Sequence, residues 1–516
     1  MKRLSALLLA VCLALSLTAC GDTPSLPVIE PSQTPAPSPT AGPGAARFSL
    51  GYDPAASLHP LSGNSQVNQE LTGLVYQGLY ELDNEFVPRP VLAASAAAGE
   101  DGYSWTITLQ SGVLFSDGSA LTARHAAASL NAARASGPYA SRLAGITGAA
   151  AADDATLVIY LAAPNGNLPA LLDVPVVLEQ EEGAPLGTGY YRYESAGERL
   201  YLQTNPFHGG TSALPYDTIP LTSVSGADAR IAAFDSGAVT AVTTRFSAPY
   251  ALRYSSSYEP CDFPTTTLLY VGFRGTGGPC QSPLVRRAFA RAVQREETAQ
   301  VLLSGHADPA CLPISPLHGE YGEEEAAQLS YDLEAAAALL AEAGYERGEE
   351  DGLLYRRRTP LEVTLLVNSG NEARQAAAEA LADALGELGV AVTVNTLPWG
   401  GYTAALASGQ FDLYLGEVRL TGDFDPSPLL TGALNYGVGE NWELTQALLN
   451  WKAAQGEARA QAAQALWARF VQDVPFAPVC FQRGSLLVRW GMASNLQPTR
   501  ANPFYRMEEW TTAGRY

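Results

Sequence analysis

The residue whose surroundings most clearly suggest chemistry is Cys20. Two basic residues precede an apolar run from Leu4 to Leu17, and the small residue Ala19 stands directly before Cys20. Such a run is shorter than the roughly 20 residues of a membrane-spanning helix and is typical of a cleaved secretory signal. The sequence therefore predicts a signal peptide over residues 1–19 and an acylated thiol on Cys20, which would anchor the mature chain to the cell membrane. The alternative is an ordinary signal peptide in which Cys20 is incidental.

The other cysteines offer disulfide chemistry. Cys12 would leave with the signal peptide, so the mature body keeps Cys261, Cys280, Cys311 and Cys480. Disulfides are stable outside the cytoplasm, and four cysteines allow three complete pairings. We favour a Cys280–Cys311 bond, because these two residues flank one predicted helix, but the spacing does not exclude the other pairings.

Residue patterns for catalysis or metal binding are missing from the sequence. It has no Gly-x-Ser-x-Gly, no His-Glu-x-x-His, no Gly-rich phosphate loop and no Cys-x-x-Cys, and its five histidines are scattered. The pattern indicates a protein that is not an enzyme and needs neither a metal nor a cofactor. A secreted lipoprotein hydrolase, with a triad assembled from distant residues, stays as a weaker alternative.

Composition separates a tether from a folded body. Residues 20–46 are rich in Pro, Ser, Thr, Ala and Gly, which predicts a flexible linker, and the body should begin near Phe48. The remaining roughly 470 residues exceed one ordinary core, so two or three domains are expected. The chain has 31 basic and 52 acidic residues, a net charge of -21, which disfavours nucleic acid as a partner.

Strand and helix patterns alternate along this body. Alternating or continuous apolar runs predict strands at 105–109, 156–160 and 361–367, and apolar residues at spacings of three and four predict helices at 284–303, 333–343 and 373–388. Asp332 and Gly344 are suitable caps for the second of these helices. The pattern predicts mixed α/β lobes.

Several segments, taken together and in chain order, resemble a known family. It is the bacterial extracellular solute-binding proteins of peptide and nickel uptake systems, called family 5. The resemblance runs nearly from end to end of the body, and its order along the chain is more specific than any one motif. The similar segments are 57–61, 74–82, 90–95, 101–118, 187–191, 285–295, 331–345, 385–394, 409–413 and Gly422-Asp-Phe-Asp-Pro426.

The resemblance implies a two-lobed periplasmic-binding-protein-like fold of class II, cluster C type. Lobe I would comprise 47–75, 181–275 and 485–516, with an extra subdomain at 76–180, and lobe II would comprise 276–484. It further implies a monomer that closes on a solute between its lobes and delivers it to the permease subunits of an ABC importer. A lipoprotein of the same fold that senses its ligand for signalling is the principal alternative.

The resemblance also suggests ligand-binding residues. Peptide-binding relatives place an aspartate at the position of Asp423, where it pairs with the ligand's α-ammonium group, while Asp425 stands next to Pro426 and is equally suited to a turn. Arg274 is either a clamp for a ligand carboxylate or, more simply, a strand-end arginine. Aromatic residues in matching segments are candidates for the cleft, although each suits the core as well: Tyr76, Tyr270, Trp399 and Tyr402. The sequence does not identify the solute, which could be a peptide, a nickel complex or another small molecule.

Overall fold

The computed structural model describes residues 47–135, 137–209, 214–245 and 253–512. The predicted signal peptide at 1–19, the predicted lipidation of Cys20 and the linker at 20–46 lie outside the described residues. Among the helices of the described ranges, none combines the length and the apolar character needed to cross a membrane.

Strands occur along the whole described body and alternate with helices. In chain order they are β1 (Leu50–Tyr52), β2 (Tyr80–Leu82), β3 (Pro88–Pro90), β4 (Ala93–Ala98), β5 (Ser104–Leu109), β6 (Ile146–Ala151), β7 (Thr156–Leu161), β8 (Tyr191–Ala196), β9 (Arg199–Thr204), β10 (Thr218–Ser223), β11 (Ala241–Arg245), β12 (Tyr258–Phe273), β13 (Ala307–Pro309), β14 (Glu346–Arg347), β15 (Leu354–Arg356), β16 (Thr359–Pro360), β17 (Glu362–Asn368), β18 (Ala391–Leu397), β19 (Leu413–Arg419) and β20 (Phe476–Arg489).

The helices are mostly short, and the longer ones lie in the second half of the chain. They are α1 (Gln66–Glu70), α2 (Thr72–Val75), α3 (Ala123–Ala135), α4 (Ala227–Ser236), α5 (Pro283–Arg291), α6 (Arg295–Glu297), α7 (Glu323–Ala327), α8 (Leu333–Glu342), α9 (Glu372–Glu387), α10 (Trp399–Ser408), α11 (Ser427–Leu430), α12 (Trp442–Ala453) and α13 (Gly456–Asp473), with 3₁₀ turns at Leu168–Leu171, Pro279–Gln281 and Met507–Glu509 and a π turn at Thr298–Leu302.

The local predictions hold where the pattern is long and capped. Helix α8 begins as expected, with the Asp332 carboxylate accepting a hydrogen bond from the Ala335 amide at 2.9 Å, and α9 covers the predicted third helix. The predicted strands correspond to β5, β7 and β17. The continuous helix predicted at 284–303 is wrong, because α5 ends at Arg291 and the chain turns before Arg295 so that this arginine points into the core.

Two large hydrophobic cores, and a small separate cluster around Phe234, account for the buried apolar residues of the described body. The first is built from the chain up to Leu221 together with the C-terminal segment, and the second is built mainly from Leu268 to Phe481. The sheet β4-β5-β7-β6, which lies within the predicted extra subdomain, packs into the first core rather than forming one of its own. The fold is mixed α/β with two lobes, as predicted, while the predicted domain limits stay a prediction.

Two long strands connect the cores. Strands β12 and β20 pair antiparallel along most of their length, in a sheet of order β11-β20-β12-β19-β17-β18. One half of β20 contributes Phe476 to Phe481 to the second core, and its other half contributes Leu486 and Val488 to the first. The pairing shifts register between Pro264 and Thr267, where the strands pass from one lobe to the other. A bulge at this point bends the ladder locally and is a natural place for a hinge.

The predicted disulfide is wrong in this structure. Cys261, Cys280, Cys311 and Cys480 are all free thiols, and all but Cys261 are buried. Cys280 packs in the second core, so its sulfur acts as a small apolar group rather than as a cross-link.

The free thiols give a direct test. With Cys20 replaced by Ser, the mature chain is expected to show four reactive thiols per molecule when it is unfolded without reductant and titrated with a thiol reagent. In the native protein Cys261 should react first, because burial raises the pKa of the Cys280 and Cys480 thiols and shields them from the reagent. Two titratable thiols after unfolding would instead indicate that a disulfide forms in the secreted protein.

Candidate functional site

A cavity of about 890 Å³ lies between the two lobes. One wall comes from the first core's side, at 64–72 and 138–175, and the other comes from the second core's side, at 418–434 together with Lys452. The floor is the region where β12 and β20 cross, from Phe263 to Thr267 and at Gly484. A solute in this space would contact both lobes and the strands that join them.

Threonine side chains complete the hydrogen bonding of the floor. At the register shift, the Thr265 hydroxyl donates to the Gln482 carbonyl at 2.5 Å and the Thr266 hydroxyl donates to the Leu420 carbonyl at 2.7 Å. These bonds satisfy backbone carbonyls at the place where the ladder is irregular. The Thr265 and Thr266 hydroxyls therefore support the bend, whereas the buried Thr267 hydroxyl has no partner among the described residues.

Asp423 lies in the second wall with its side chain almost wholly covered. It is 7% exposed, and its carboxylate accepts hydrogen bonds from the Thr421 hydroxyl at 2.5 Å and from the Asn165 amide at 3.2 Å. Among the described residues it has no ion-pair partner. Burial, and then the negative charge of Asp425, raise the pKa of Asp423. A buried carboxylate held in this way is poised to accept a cation.

Asp425 has a different environment. Its carboxylate accepts hydrogen bonds from the amide and the hydroxyl of Ser427, at the start of α11, and it forms an ion pair with Lys452. These contacts are those of a turn and a local charge pair. Of the two aspartates, therefore, Asp423 is the one whose negative charge is not matched by a cation of the protein.

The two walls touch directly beside Asp423. The Gly166 amide donates to the Lys452 carbonyl at 2.6 Å, and a Cβ on Gly422 would come within 2.5 Å of the Ala170 carbonyl oxygen. Phe86, in the turn between β2 and β3, reaches the second core and packs edge to face on Phe424 with ring centroids 4.7 Å apart. Because Gly422 has no side chain, the two walls can approach each other closely beside Asp423.

The predicted aromatic residues lie outside the cavity lining. Tyr76 lines a second cavity of about 730 Å³ in the first lobe, where its hydroxyl donates to the Pro185 carbonyl at 2.9 Å. Tyr270 meets the Tyr414 hydroxyl at 3.4 Å within the second core. Tyr402 is also buried there and donates to the Leu415 carbonyl, while Trp399 stacks on it and is 63% exposed. A ligand role for these four residues stays a prediction without support from their positions.

Arg274 is engaged by the protein itself. Its guanidinium pairs with the Asp412 carboxylate at 3.0 Å and donates to the Gly409 carbonyl at 3.2 Å. Of the two alternatives given for Arg274, these contacts agree with a strand-end arginine rather than with a clamp for a ligand carboxylate. Metal binding finds no support either, because the described ranges contain no group of three His, Cys, Asp or Glu side chains arranged to hold an ion.

Polar residues that sequence reasoning missed complete the site. Asn165 comes from the first lobe and reaches Asp423 of the second, and two exposed arginines, Arg245 and Arg419, line the cavity. No local motif marks these positions, since they are brought together by strand register and by the contact of the lobes. The available signal was an arginine at the end of a short run with strand-like composition, at 241–245 and at 413–419.

The comparisons with known proteins agree with this architecture. The profile of the bacterial extracellular solute-binding proteins, family 5 (Middle) matches residues 87–440. The chain belongs to this family. The glutathione-binding protein GsiB of Pectobacterium atrosepticum is 30% identical to this family 5 member over 405 residues, covering 73% of this chain and 76% of GsiB. GsiB of Salmonella typhimurium is 27% identical over 417 residues, covering 76% and 77%.

Solved structures show the same fold. The unliganded open form of the periplasmic murein tripeptide-binding protein MppA aligns with this family 5 chain at a TM-score of 0.72 and 20% identity, covering 90% of this chain and 97% of MppA. The nickel ABC transporter structure from Bacillus halodurans gives a TM-score of 0.72 and 20% identity, covering 88% and 97%. At these identities the likeness establishes the two-lobed fold alone.

Proposed function

We propose that the protein is the membrane-tethered, substrate-binding component of an ABC importer and that it captures short peptides by their free α-ammonium group. In this proposal Cys20 carries the lipid, residues 20–46 form the tether, and the closed body delivers the peptide to the permease subunits. A solute that contacts both lobes only when they are closed shifts the population toward the closed form, which the importer can recognise.

The observation that carries the proposal is the unmatched carboxylate of Asp423. It lies in the wall of the inter-lobe cavity, 7% exposed, and is held by Thr421 and by Asn165 of the opposite wall. An ammonium group there would supply the missing positive charge and three hydrogen-bond donors. The Lys452 ammonium lies near by but is already paired with Asp425.

Size and relatives support a peptide of a few residues. A cavity of about 890 Å³ is within the range of small-ligand sites, about 300–1,000 Å³, and leaves room for bridging waters beside a short peptide. GsiB is named for glutathione, which is a tripeptide, and MppA is named for the murein tripeptide. A binding mode based on the peptide's amino terminus and on water would accept varied side chains.

Thermal unfolding in the presence of matched peptides tests the proposal. The mature chain with Cys20→Ser would be mixed with glutathione and with randomised di-, tri- and tetrapeptide pools, each as the free amine and as the N-acetylated form. The free amines are expected to raise the melting temperature, because a ligand that binds only the folded state stabilises it, and the acetylated forms are expected to do so far less. No shift with any pool, or a response only to nickel chelates, would refute peptide capture.

A further inference from the structure

Two arginines in the cavity have no partner among the described residues. Arg245 ends β11 and Arg419 ends β19, both are exposed, and both line the inter-lobe cavity. Neither forms an ion pair or a side-chain hydrogen bond within the ranges that the structure describes. Arginine is the residue best suited to bind a carboxylate through two parallel hydrogen bonds.

Strand register places the two side chains on one face of the sheet. Arg245 is paired with Gly484 of β20, and Arg419 is paired with Thr267 of β12, which is itself paired with Gln482. Directly paired residues lie on the same face of a sheet, and so do residues two apart on one strand. Gln482 and Gly484 are two apart on β20, so the residues paired with them, and with them both arginines, lie on the same face. Three strand spacings of about 4.8 Å each, and an offset of two residues along β20, separate the two arginines, so their backbones lie about 16 Å apart.

The hinge lies between them. Arg245 belongs to the strand that pairs with the first-lobe half of β20, whereas Arg419 belongs to the strand that pairs with the second-lobe half of β12. The opposite face of the same region is occupied by the His306–Asp262 and Arg483–Asp308 pairs, so those carboxylates do not face the cavity arginines. Glu417, two residues before Arg419, is already bound to Arg374 and Gln482.

The cavity lining has a net positive charge, whereas the whole chain has a net negative charge. Its lining contains five basic side chains against four acidic ones, 5 − 4 = +1, in a protein of net charge -21. The acidic lining residues other than Asp423 are paired: Glu70 with Arg230, Asp425 with Lys452, and Asp173 with both Arg142 and Arg500. What remains for a ligand is one negative charge at Asp423 and a positive region at the exposed Arg245 and Arg419. The two arginines that share Asp173 leave one further positive charge, on side chains that are mostly covered.

We infer that Arg245 and Arg419 together bind the ligand's carboxylate, one from each side of the hinge, while Asp423 binds its ammonium group. The inference rests on the proposed function and narrows its substrate class to short peptides with a free C-terminal carboxylate. A carboxylate held by both guanidinium groups would bridge the hinge and thereby favour the closed form.

Amidated peptides separate this inference from the function on which it rests. Randomised tripeptide pools with free amines would be prepared with C-terminal carboxylates and with C-terminal amides, and their affinities for the mature Cys20→Ser chain measured by calorimetry. The carboxylate pool is expected to bind about 10- to 100-fold more tightly, as a charged hydrogen bond is removed in the amide. If both pools bind equally, the inference is overturned and peptide capture stands; if neither binds, the proposed function itself fails.

Variants show whether both arginines act on one group. Arg245→Gln and Arg419→Gln should each lower the affinity for the carboxylate pool by about 10-fold and leave the affinity for the amide pool unchanged. The loss of affinity in the double variant should be smaller than the product of the two single losses. Arg199→Gln, an exposed strand arginine outside the cavity lining, is the control and should change neither pool. Equal losses for the two pools, or losses in the double variant that multiply fully, would contradict a shared carboxylate.

Discussion

Replacing Asp423 by Asn is expected to weaken binding of free-amine peptides by at least about 100-fold, because the ligand's ammonium would then be buried without a counter-charge. The same variant should bind N-acetylated peptides as the unmodified protein does, since those ligands lack the charge that Asp423 recognises. Asparagine keeps the size of the side chain and can still contact Thr421 and Asn165. Calorimetric titration of both peptide forms measures the difference.

The same carboxylate predicts how binding depends on pH. Burial and the charge of Asp425 raise the pKa of Asp423 in the ligand-free protein, and only the ionised form pairs with an ammonium group. Affinity for free-amine peptides should therefore fall as the pH drops through this raised pKa, with uptake of a proton on release of the ligand. The Asp423→Asn variant should lack this part of the pH dependence.

Stability without ligand should change in the opposite direction. A carboxylate whose pKa is raised on folding contributes most to stability below its unfolded pKa, and this contribution is lost as the pH rises through the folded pKa. At a pH above this raised pKa the ionised Asp423 is thus a cost, and Asp423→Asn is expected to stabilise the empty protein there by about 1 kcal/mol. A variant that loses peptide affinity but gains stability has lost a ligand-binding residue, because replacing a residue that only supports the fold would lower stability.

Asp425→Asn is the matched control for this pair of effects. It removes a carboxylate two residues away that accepts hydrogen bonds from Ser427 in a turn and pairs with Lys452. We therefore expect it to lower stability and to weaken the binding of free-amine and acetylated peptides alike. If Asp423→Asn also weakened both forms equally, or if it destabilised the empty protein, the ammonium role of Asp423 would be untenable.

The sequence predicted those helices and strands whose formation depends on residues close by in the chain. Period and caps located α8 and α9 and the strands β5, β7 and β17, because each depends on neighbours a few residues away. The two-lobed fold followed from the resemblance, which rests on the order of many weak segments. The helix predicted at 284–303 failed because a buried arginine, not the apolar period, decides where the chain turns.

The binding site could be anticipated only in part. Asp423 was suggested by the resemblance of its segment to that of peptide-binding relatives, but nothing local distinguishes it from Asp425. The structure shows the difference, because Ser427 and Lys452 engage Asp425. Arg245 and Arg419 were not predicted, because their position on one face of the sheet depends on the register of four strands. The aromatic candidates went into cores, where large rings bury the most apolar surface.

The second large effect is expected at Arg295, where replacement by Met should lower the free energy of unfolding by about 3–5 kcal/mol. Arg295 is 5% exposed and lies in the segment 285–295 that resembles the family's most distinctive helix. Its guanidinium donates to the carbonyls of Ala310, Pro478, Ala290, Val293 and Leu329, at 2.7 to 3.5 Å. Methionine fills a similar volume but removes these side-chain donors, although the Ala290 and Val293 carbonyls each keep a backbone donor.

Urea unfolding of the ligand-free protein measures this loss, and two further variants define it. Arg295→Lys keeps the charge but offers a compact ammonium in place of the planar fork, so we expect a smaller loss that still exceeds about 1 kcal/mol. Arg199→Met, on an exposed strand position, should stay within about 0.5 kcal/mol of the unmodified protein. Stability of both Arg295 variants close to that of the control would show that the carbonyls are satisfied without it.

The Arg295 variants also distinguish residues that stabilise the fold from residues that bind the ligand. Its contacts join the end of α5 and the loop at Leu329 to Pro478 of the crossing strand β20, and it is absent from the inter-lobe cavity lining. Once temperature and denaturant are chosen so that Arg295→Lys is folded, its peptide affinity should match that of the unmodified protein, whereas Asp423→Asn should bind poorly while being the more stable molecule. This opposition follows because the buried charge of Arg295 is stabilised by carbonyl groups of the protein through Nε and one of its two terminal nitrogens, whereas the charge of Asp423 is left for the ligand to neutralise.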